Sequence, residues 1–353
     1  MLALIRRLAI LSVLFLAVVA PAQAMPRLLV DANTFEVLEA EEAGQPWHPA
    51  SLTKLMTAYV AFAAVQTGRI SLSTPIKISR NAWNQAPSKS GLAIGASITM
   101  QDALYILVVK SANDVAVAIA EAVSGSEPAF VEEMNAMARA MGLTATHYAN
   151  PHGLHNEAQV TSARDLAMLA LYIRRDFPQY LPMFGTETVK LGKASLESNN
   201  GLLKHFAGTT GMKTGYVCAS GLNIVATVER GGRSLIAVVL GGISARERNE
   251  MTAELVLRGL SGAARGRGQS LIDIPNLNAA PVSMRARICG KEAKAYVAER
   301  EAAYPFGLKG QPTYLGDNFE GAVYQATDLG IIVDVPLPRP RPGNAPAAVA
   351  AVN

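Results

Sequence analysis

Charge is scarce in this chain. Asp, Glu, Lys and Arg make up 17% of its 353 residues, where a globular protein carries about 25%. That shortfall, beside 50% apolar residues, excludes a disordered polyelectrolyte and implies a large buried core. The formal net charge is +4 and is dispersed along the chain, which gives no basic footprint for nucleic acid. Cysteine is nearly missing: Cys218 and Cys289 are the whole complement. Two cysteines make no disulfide framework. An exported chain could pair them, but nothing in the sequence brings them together, and Cys218 is expected as a small packed residue. No apolar run reaches the ~20 residues of a transmembrane helix, and no internal repeat is visible.

What is there begins with an export signal. Arg6 and Arg7 precede the short apolar core LAILSVLFLAVVA (residues 8–20), and AQA at 22–24 has the small residues of a cleavage site. Residues 1–24 therefore read as a signal peptide, with Met25 as the mature start. Its loss lowers the formal charge from +4 by two, through Arg6 and Arg7. No cysteine follows the cleavage site, so lipid anchoring is not expected.

Periodicity then sets out the body. RLLVDA (27–32) and FEVLEAE (35–41) flank Asn33-Thr34 and read as a hairpin. A helix runs from Pro49 to Gly68, with Pro and Gly at the ends where they are favoured. QDALYILVVK (101–110) and DVAVAIAEAV (114–123) are helical runs interrupted by SAND (111–114). Residues 127–142 form an amphipathic helix stopped by Gly142, and 161–175 another, capped by Thr161 or Ser162. The period changes to two in GMKTGYV (211–217), LNIVATVER (222–230) and RSLIAVVLGG (233–242), with Gly231-Gly232 as a hairpin turn. Residues 244–260 return to helix. Strands at both ends enclosing helices predict an α+β fold: an antiparallel sheet flanked by helices, with an all-helical insert. The expected divisions are 25–264 for this body, 265–335 for a small β-rich appendage that includes APVSMRARIC, and 336–353 for a flexible Pro- and Ala-rich tail.

The nearly all-apolar helix after Pro49 carries Lys54 three residues beyond Ser51. Residues three apart share a helix face, ~5–6 Å between Cβ atoms. A serine in a first helical turn has a free backbone N–H that can stabilise an oxyanion. A lysine in an apolar wall loses hydration, its pKa falls, and the neutral amine can take the serine proton. Alone, Ser-x-x-Lys is weak and also fits a solvated surface lysine. Ser111-Ala112-Asn113 alone fits an ordinary polar cap, and Lys213-Thr214-Gly215 alone an edge-strand lysine. The three motifs together, in this order on an exported chain, match the set used by penicillin-binding proteins and serine β-lactamases.

On those motifs, and on DANTFEVLEA, NPHGL, TSARDLAMLA, NNGLL and SGLNIVATVERGGRSLIAVVLGG around them, the chain resembles the serine D-alanyl-D-alanine carboxypeptidases, the low-molecular-mass penicillin-binding proteins. The likeness runs from about Leu28 to Leu260. It implies Ser51 as nucleophile, Lys54 as general base and Ser111 as proton relay. It implies Asn113, Lys213, Thr214 and Gly215 as substrate-binding residues, and the backbone N–H groups of Ser51 and Tyr216 as the oxyanion hole. The implied reaction removes the terminal D-alanine from peptidoglycan stem peptides through an acyl-enzyme, with no cofactor or metal, and β-lactam antibiotics should acylate Ser51. Further expectations are a periplasmic location, no nucleic-acid partner, and no stable membrane anchor after signal cleavage. D,D-endopeptidase or weak β-lactamase activity at the same site is the alternative, and a catalytically poor peptidoglycan-binding protein a third.

Three departures from the family pattern stand out. Ala112 replaces the usual glycine of the second motif. Asn199 stands where some members have an arginine that assists carboxylate recognition, so binding would lean on Lys213 and Thr214. The C-terminal tail has no apolar face to insert in a membrane. His152 and His155 could be read as metal ligands, but no acidic partner recurs at helical spacing, and a lone HxxH is usually structural. Trp47 and His48 are expected to pack beneath the Ser51 helix.

Overall fold

The structure, a computed structural model, describes residues 25–332. The segments read from the sequence as a signal peptide (1–24) and a Pro- and Ala-rich tail (336–353) lie outside the described residues.

The described residues open with strands β1 (Arg27–Asp31) and β2 (Val37–Glu41). A 3-10 turn over Ala50–Thr53 leads straight into α1 (Lys54–Gln66). A small two-stranded sheet, β3 (Pro75–Lys77) with β4 (Ser97–Thr99), brackets the short α2 (Arg80–Trp83). Helices α3 (Met100–Val109), α4 (Asn113–Ser124), α5 (Glu127–Ala140) and α6 (Ala163–Asp176) complete the insert, followed by the short α7 (Leu181–Phe184). A hairpin follows, β5 (Thr186–Leu191) with β6 (Ala194–Glu197), and then the short α8 (Leu202–His205). Strands β7 (Thr209–Val217), β8 (Gly221–Arg230) and β9 (Arg233–Gly242) and helix α9 (Ala245–Leu260) close the body.

The main sheet is antiparallel, in the order β2-β1-β9-β8-β7. Strands from both ends of the sequence thus meet in one sheet, around the helical insert. Period-two alternation sends neighbouring side chains to opposite faces. Leu28, Val30, Val225, Ile236, Val238 and Leu240 join the core shared with the insert helices. Leu29, Ile224, Ala226, Leu235, Ala237 and Val239 pack on the other face with Ala253, Leu255 and Val256 of α9. Helix α1 is buried on nearly every side, as expected of a helix that is apolar all round. Side-chain caps fix the helix starts: Thr99 on α3, Ser126 on α5, Ser162 on α6 and Ser244 on α9 each accept from a backbone N–H three residues on.

The segment after α9 behaves as a strap. It pairs at Ser270 with Glu36 and at Val282 with Trp47, then forms α10 (Arg285–Cys289) and α11 (Ala293–Ala303). APVSMRARIC, read from the sequence as strand-like, ends in α10. The strap then crosses α9, where Arg300 pairs with Glu247 at 2.7 Å and Thr313 and Tyr314 bond Glu250. It finishes as β10 (Ala322–Ala326), parallel to β5, with Tyr324 stacked on Tyr105. Among the described residues, no helix is long and apolar enough to cross a membrane.

One expectation is corrected here. Cys218 and Cys289 form a disulfide. They are 71 residues apart, and only the return of the strap across the β7–β8 turn brings them together.

Candidate active site

Ser51 sits second in the 3-10 turn, ahead of the first N–H that bonds within it, Leu52 to Pro49 O at 3.2 Å. The turn is held by its surroundings rather than by its own caps. Ala50 adopts φ 49°, a left-handed conformation costly for a residue with a Cβ. Asn223, in the interior strand β8, donates to the carbonyls of His48 (3.0 Å) and Pro49 (3.3 Å) and accepts from Gly241 N–H. On the other flank Gly153 is wedged against the turn. A Cβ there would lie 2.0 Å from the Ala50 carbonyl oxygen and 2.9 Å from Ser51 N, at φ +88°. Gly153→Ala should therefore cost at least ~1–3 kcal/mol from backbone strain alone. A lowered denaturant midpoint together with slowed penicillin acylation would show it; an unchanged midpoint would mean that the turn yields freely.

Lys54 is 1% exposed. Its Nζ lies 3.0 Å from Ser51 Oγ, 2.8 Å from Asn113 Oδ1 and 2.5 Å from the His152 carbonyl oxygen. Burial, and secondly the charge of Lys213, hold its ammonium well below the ordinary lysine range, while Asp114 opposes them. Asp114 is itself buried at the start of α4, where Ser90 N–H, Ser90 Oγ–H and Val115 N–H donate to it.

Ser111 occupies the short break between α3 and α4 at φ 61°, another left-handed residue that is not glycine. Its hydroxyl is buried and, among the described residues, has no hydrogen-bond partner. Asn113 is fixed by three contacts. Its N–H donates to Ser88 O, its Nδ2 to Ala86 O at 3.3 Å, and its Oδ1 faces Lys54.

Lys213, Thr214 and Gly215 lie in β7, the edge strand of the main sheet. Lys213 is buried, and burial followed by the nearby Arg248 guanidinium pushes its pKa down to about 7. Gly215 lets β7 pass against the serine turn: a Cβ there would be 2.9 Å from Ser51 N and 3.0 Å from Leu52 N. Tyr216, the next residue, is half exposed. All three motifs therefore converge on the start of α1.

Several contributors escaped the sequence reading. The His152 main-chain carbonyl, not its imidazole, meets Lys54; the ring is buried, accepts from Leu154 N–H and lies 3.7 Å from Glu127. His155 instead pairs with Glu157. Asn223 and Asp114 had no motif to mark them. Arg248, buried on α9, donates to the carbonyl of Asn199 at 2.8 Å. A cation from a different element thus stands beside the position where Asn199 supplies none. Trp47 and His48, expected to pack beneath the Ser51 helix, are both buried, at 1% and 2% exposure.

The architecture is that of the penicillin-binding, transpeptidase-like fold. Penicillin binding protein 6B of Escherichia coli superposes with a TM-score of 0.64 at 35% identity, over 67% of this chain and 77% of that one. The chain belongs to the peptidase S11 family, D-alanyl-D-alanine carboxypeptidase, whose model matches residues 17–244. The D-alanyl-D-alanine carboxypeptidase DacD of Salmonella typhimurium is 35% identical over 236 residues, 65% of this chain and 60% of the relative. A D-alanyl-D-alanine endopeptidase of Pseudomonas aeruginosa is 36% identical over 155 residues, 43% of this chain and 47% of the relative. The alignment thus spans about 60% of the length of the DacD relative.

Proposed function

We propose that the protein is an exported serine D,D-carboxypeptidase that trims the terminal D-alanine from peptidoglycan stem peptides and is acylated by β-lactams. One observation carries this reading: the surroundings of Lys54 Nζ. Two of its three partners, Asn113 Oδ1 and the His152 carbonyl, can only accept. A neutral amine spends both N–H groups on them and is left with one lone pair, which faces Ser51 Oγ at 3.0 Å. The burial that keeps the amine neutral and the partners that orient it thus prepare a base for the serine proton.

The steps follow. Ser51 Oγ attacks the carbonyl of the penultimate D-alanine while its proton passes to Lys54 Nζ. The oxyanion is held by the N–H groups of Ser51 and Tyr216. The C–N bond breaks, the leaving amine takes up a proton through the Ser111 hydroxyl, and free D-alanine departs. Water, deprotonated in turn by Lys54, then attacks the ester and releases the shortened stem with Ser51 restored. Asn113 holds the substrate amide, and Lys213 and Thr214 hold the terminal carboxylate, with Arg248 adding positive potential behind them. A β-lactam offers the same carbonyl in a ring, so its leaving amine stays attached and a stable adduct results.

The test is intact-protein mass after incubation with penicillin, peptide mapping of the adduct, and D-alanine release from a D-Ala-D-Ala peptide. An adduct on the Ser51 peptide with D-alanine release is expected; no adduct would overturn the reading. The likeness to the Pseudomonas aeruginosa endopeptidase favours one second reading, cleavage of D-Ala cross-links at the same site. Digestion of cross-linked muropeptides separates the two.

A pH prediction follows from Lys213. Its ammonium is the charged partner of the substrate carboxylate and is lost as pH rises through about 7 in the free enzyme. A bound carboxylate restores that pKa. kcat/KM should therefore fall tenfold per unit above about pH 7 while kcat holds, since kcat/KM reports the free enzyme. An alkaline limb that appears equally in kcat would contradict this role.

A further inference from the structure

We infer that helix α10, clamped to strand β7 by the Cys218–Cys289 disulfide, is a positioning element that keeps the two backbone N–H groups at Ser51 and Tyr216 in register. The inference rests on the acyl-transfer reading of the site proposed above.

The need for such an element follows from where Tyr216 lies. Among the described residues, β7 is an edge strand whose one strand partner is β8. Its outer side carries no neighbouring strand, so its end is free to tilt away from the serine turn. Gly215 touches that turn at Ser51 N, and a small movement there would separate the two N–H groups. Preorganised donors lose their advantage when displaced by about 1 Å.

Residues 282–289 of the strap supply the missing brace, and they do so from both sides at once. Val282 N–H donates to Pro46 O at 3.3 Å and Val282 pairs with Trp47, in the segment that leads into Ser51. Trp47 in turn donates its indole N–H to Ser220 O at 3.0 Å, in the turn that follows β7. Met284, buried, donates its N–H to Ala219 O at 2.8 Å. Cys289, the last residue of α10, is bonded to Cys218, two residues beyond Tyr216. The Tyr216 hydroxyl rests 3.3 Å from Cys289 Sγ. These contacts close a ring through the lead-in to Ser51, the β7–β8 turn, α10 and the exit of β7. Every strap residue in that ring lies beyond residue 244, where the family match ends.

The test compares the wild type with Cys218→Ser/Cys289→Ser. Time courses of penicillin adduct by intact mass, across concentrations, separate the non-covalent Kd from the first-order acylation constant. The expected result is an acylation constant lower by roughly 10- to 100-fold with Kd unchanged. Reduction of the wild type, verified by alkylation mass, should produce the same loss, and reoxidation should restore the rate. Equal acylation with both thiols shown to be absent or free would overturn the inference. So would a loss that only tracks the unfolded fraction by circular dichroism, because the disulfide would then serve the fold and not the site. A wild type that forms no adduct would take down the reading of the site itself, and this inference with it.

Discussion

Ser51→Ala is expected to leave no covalent penicillin adduct and to lower D-alanine release by roughly a million-fold, the loss seen when a serine nucleophile is removed from a working triad. The fold should be indifferent to the change. Among the described residues Ser51 Oγ hydrogen-bonds to Lys54 Nζ alone, and Lys54 keeps Asn113 and His152 as partners. The backbone N–H at position 51 also survives, so both donors of the proposed oxyanion hole remain. The variant should bind penicillin non-covalently with an unchanged denaturant midpoint. Mass spectrometry with stopped acylation assays checks the first part and urea titration the second. An adduct that persists in the variant would place the nucleophile elsewhere.

Lys54→Met should be nearly as damaging to acylation, by roughly ten-thousand-fold or more, and unlike the serine variant it should also affect stability. Methionine fills a similar volume but donates nothing. Asn113 Oδ1 and the His152 carbonyl would lose a buried donor, at about 1–3 kcal/mol each, partly offset because a desolvated amine is no longer buried. The same lysine sets the acid limb in the wild type. Protonated Lys54 cannot accept the serine proton, so acylation falls as pH drops through its pKa. Burial and Lys213 both depress that pKa, so the limb should lie well below the ordinary lysine value, and removing the charge of Lys213 should move it to higher pH. A limb at ~10.4, the value of free lysine, would end the case for a neutral amine base.

The elements with strong periodicity were legible in advance. The β8–β9 hairpin, α5, α6 and α9 appear within a residue or two of where the pattern puts them. The hairpin β5–β6 was not read, because TETVKL and ASLE are short and mixed in polarity and pair across a turn with no strong marker. The C-terminal region was read as β-rich; its strand β10 draws regularity from β5, in the body, and α10 from the β7–β8 turn it rests on. Elements that depend on a distant partner leave little local trace.

What the sequence determined alone is the set of chemical groups and their local spacing. A serine and a lysine three apart in an apolar helix must share a face, whatever surrounds them. The residues that make those groups work belong to the tertiary structure. The His152 carbonyl lies 98 positions from Lys54, Asn223 more than 170 from the turn it holds, and Cys289 71 from Cys218. Burial of the amine, the close pass of Gly215 over Ser51 N and the disulfide are all long-range contacts. They arise only when the sheet closes from both ends of the chain and the strap returns across it, because desolvation and proximity are properties of what packs around a residue and not of its neighbours in sequence.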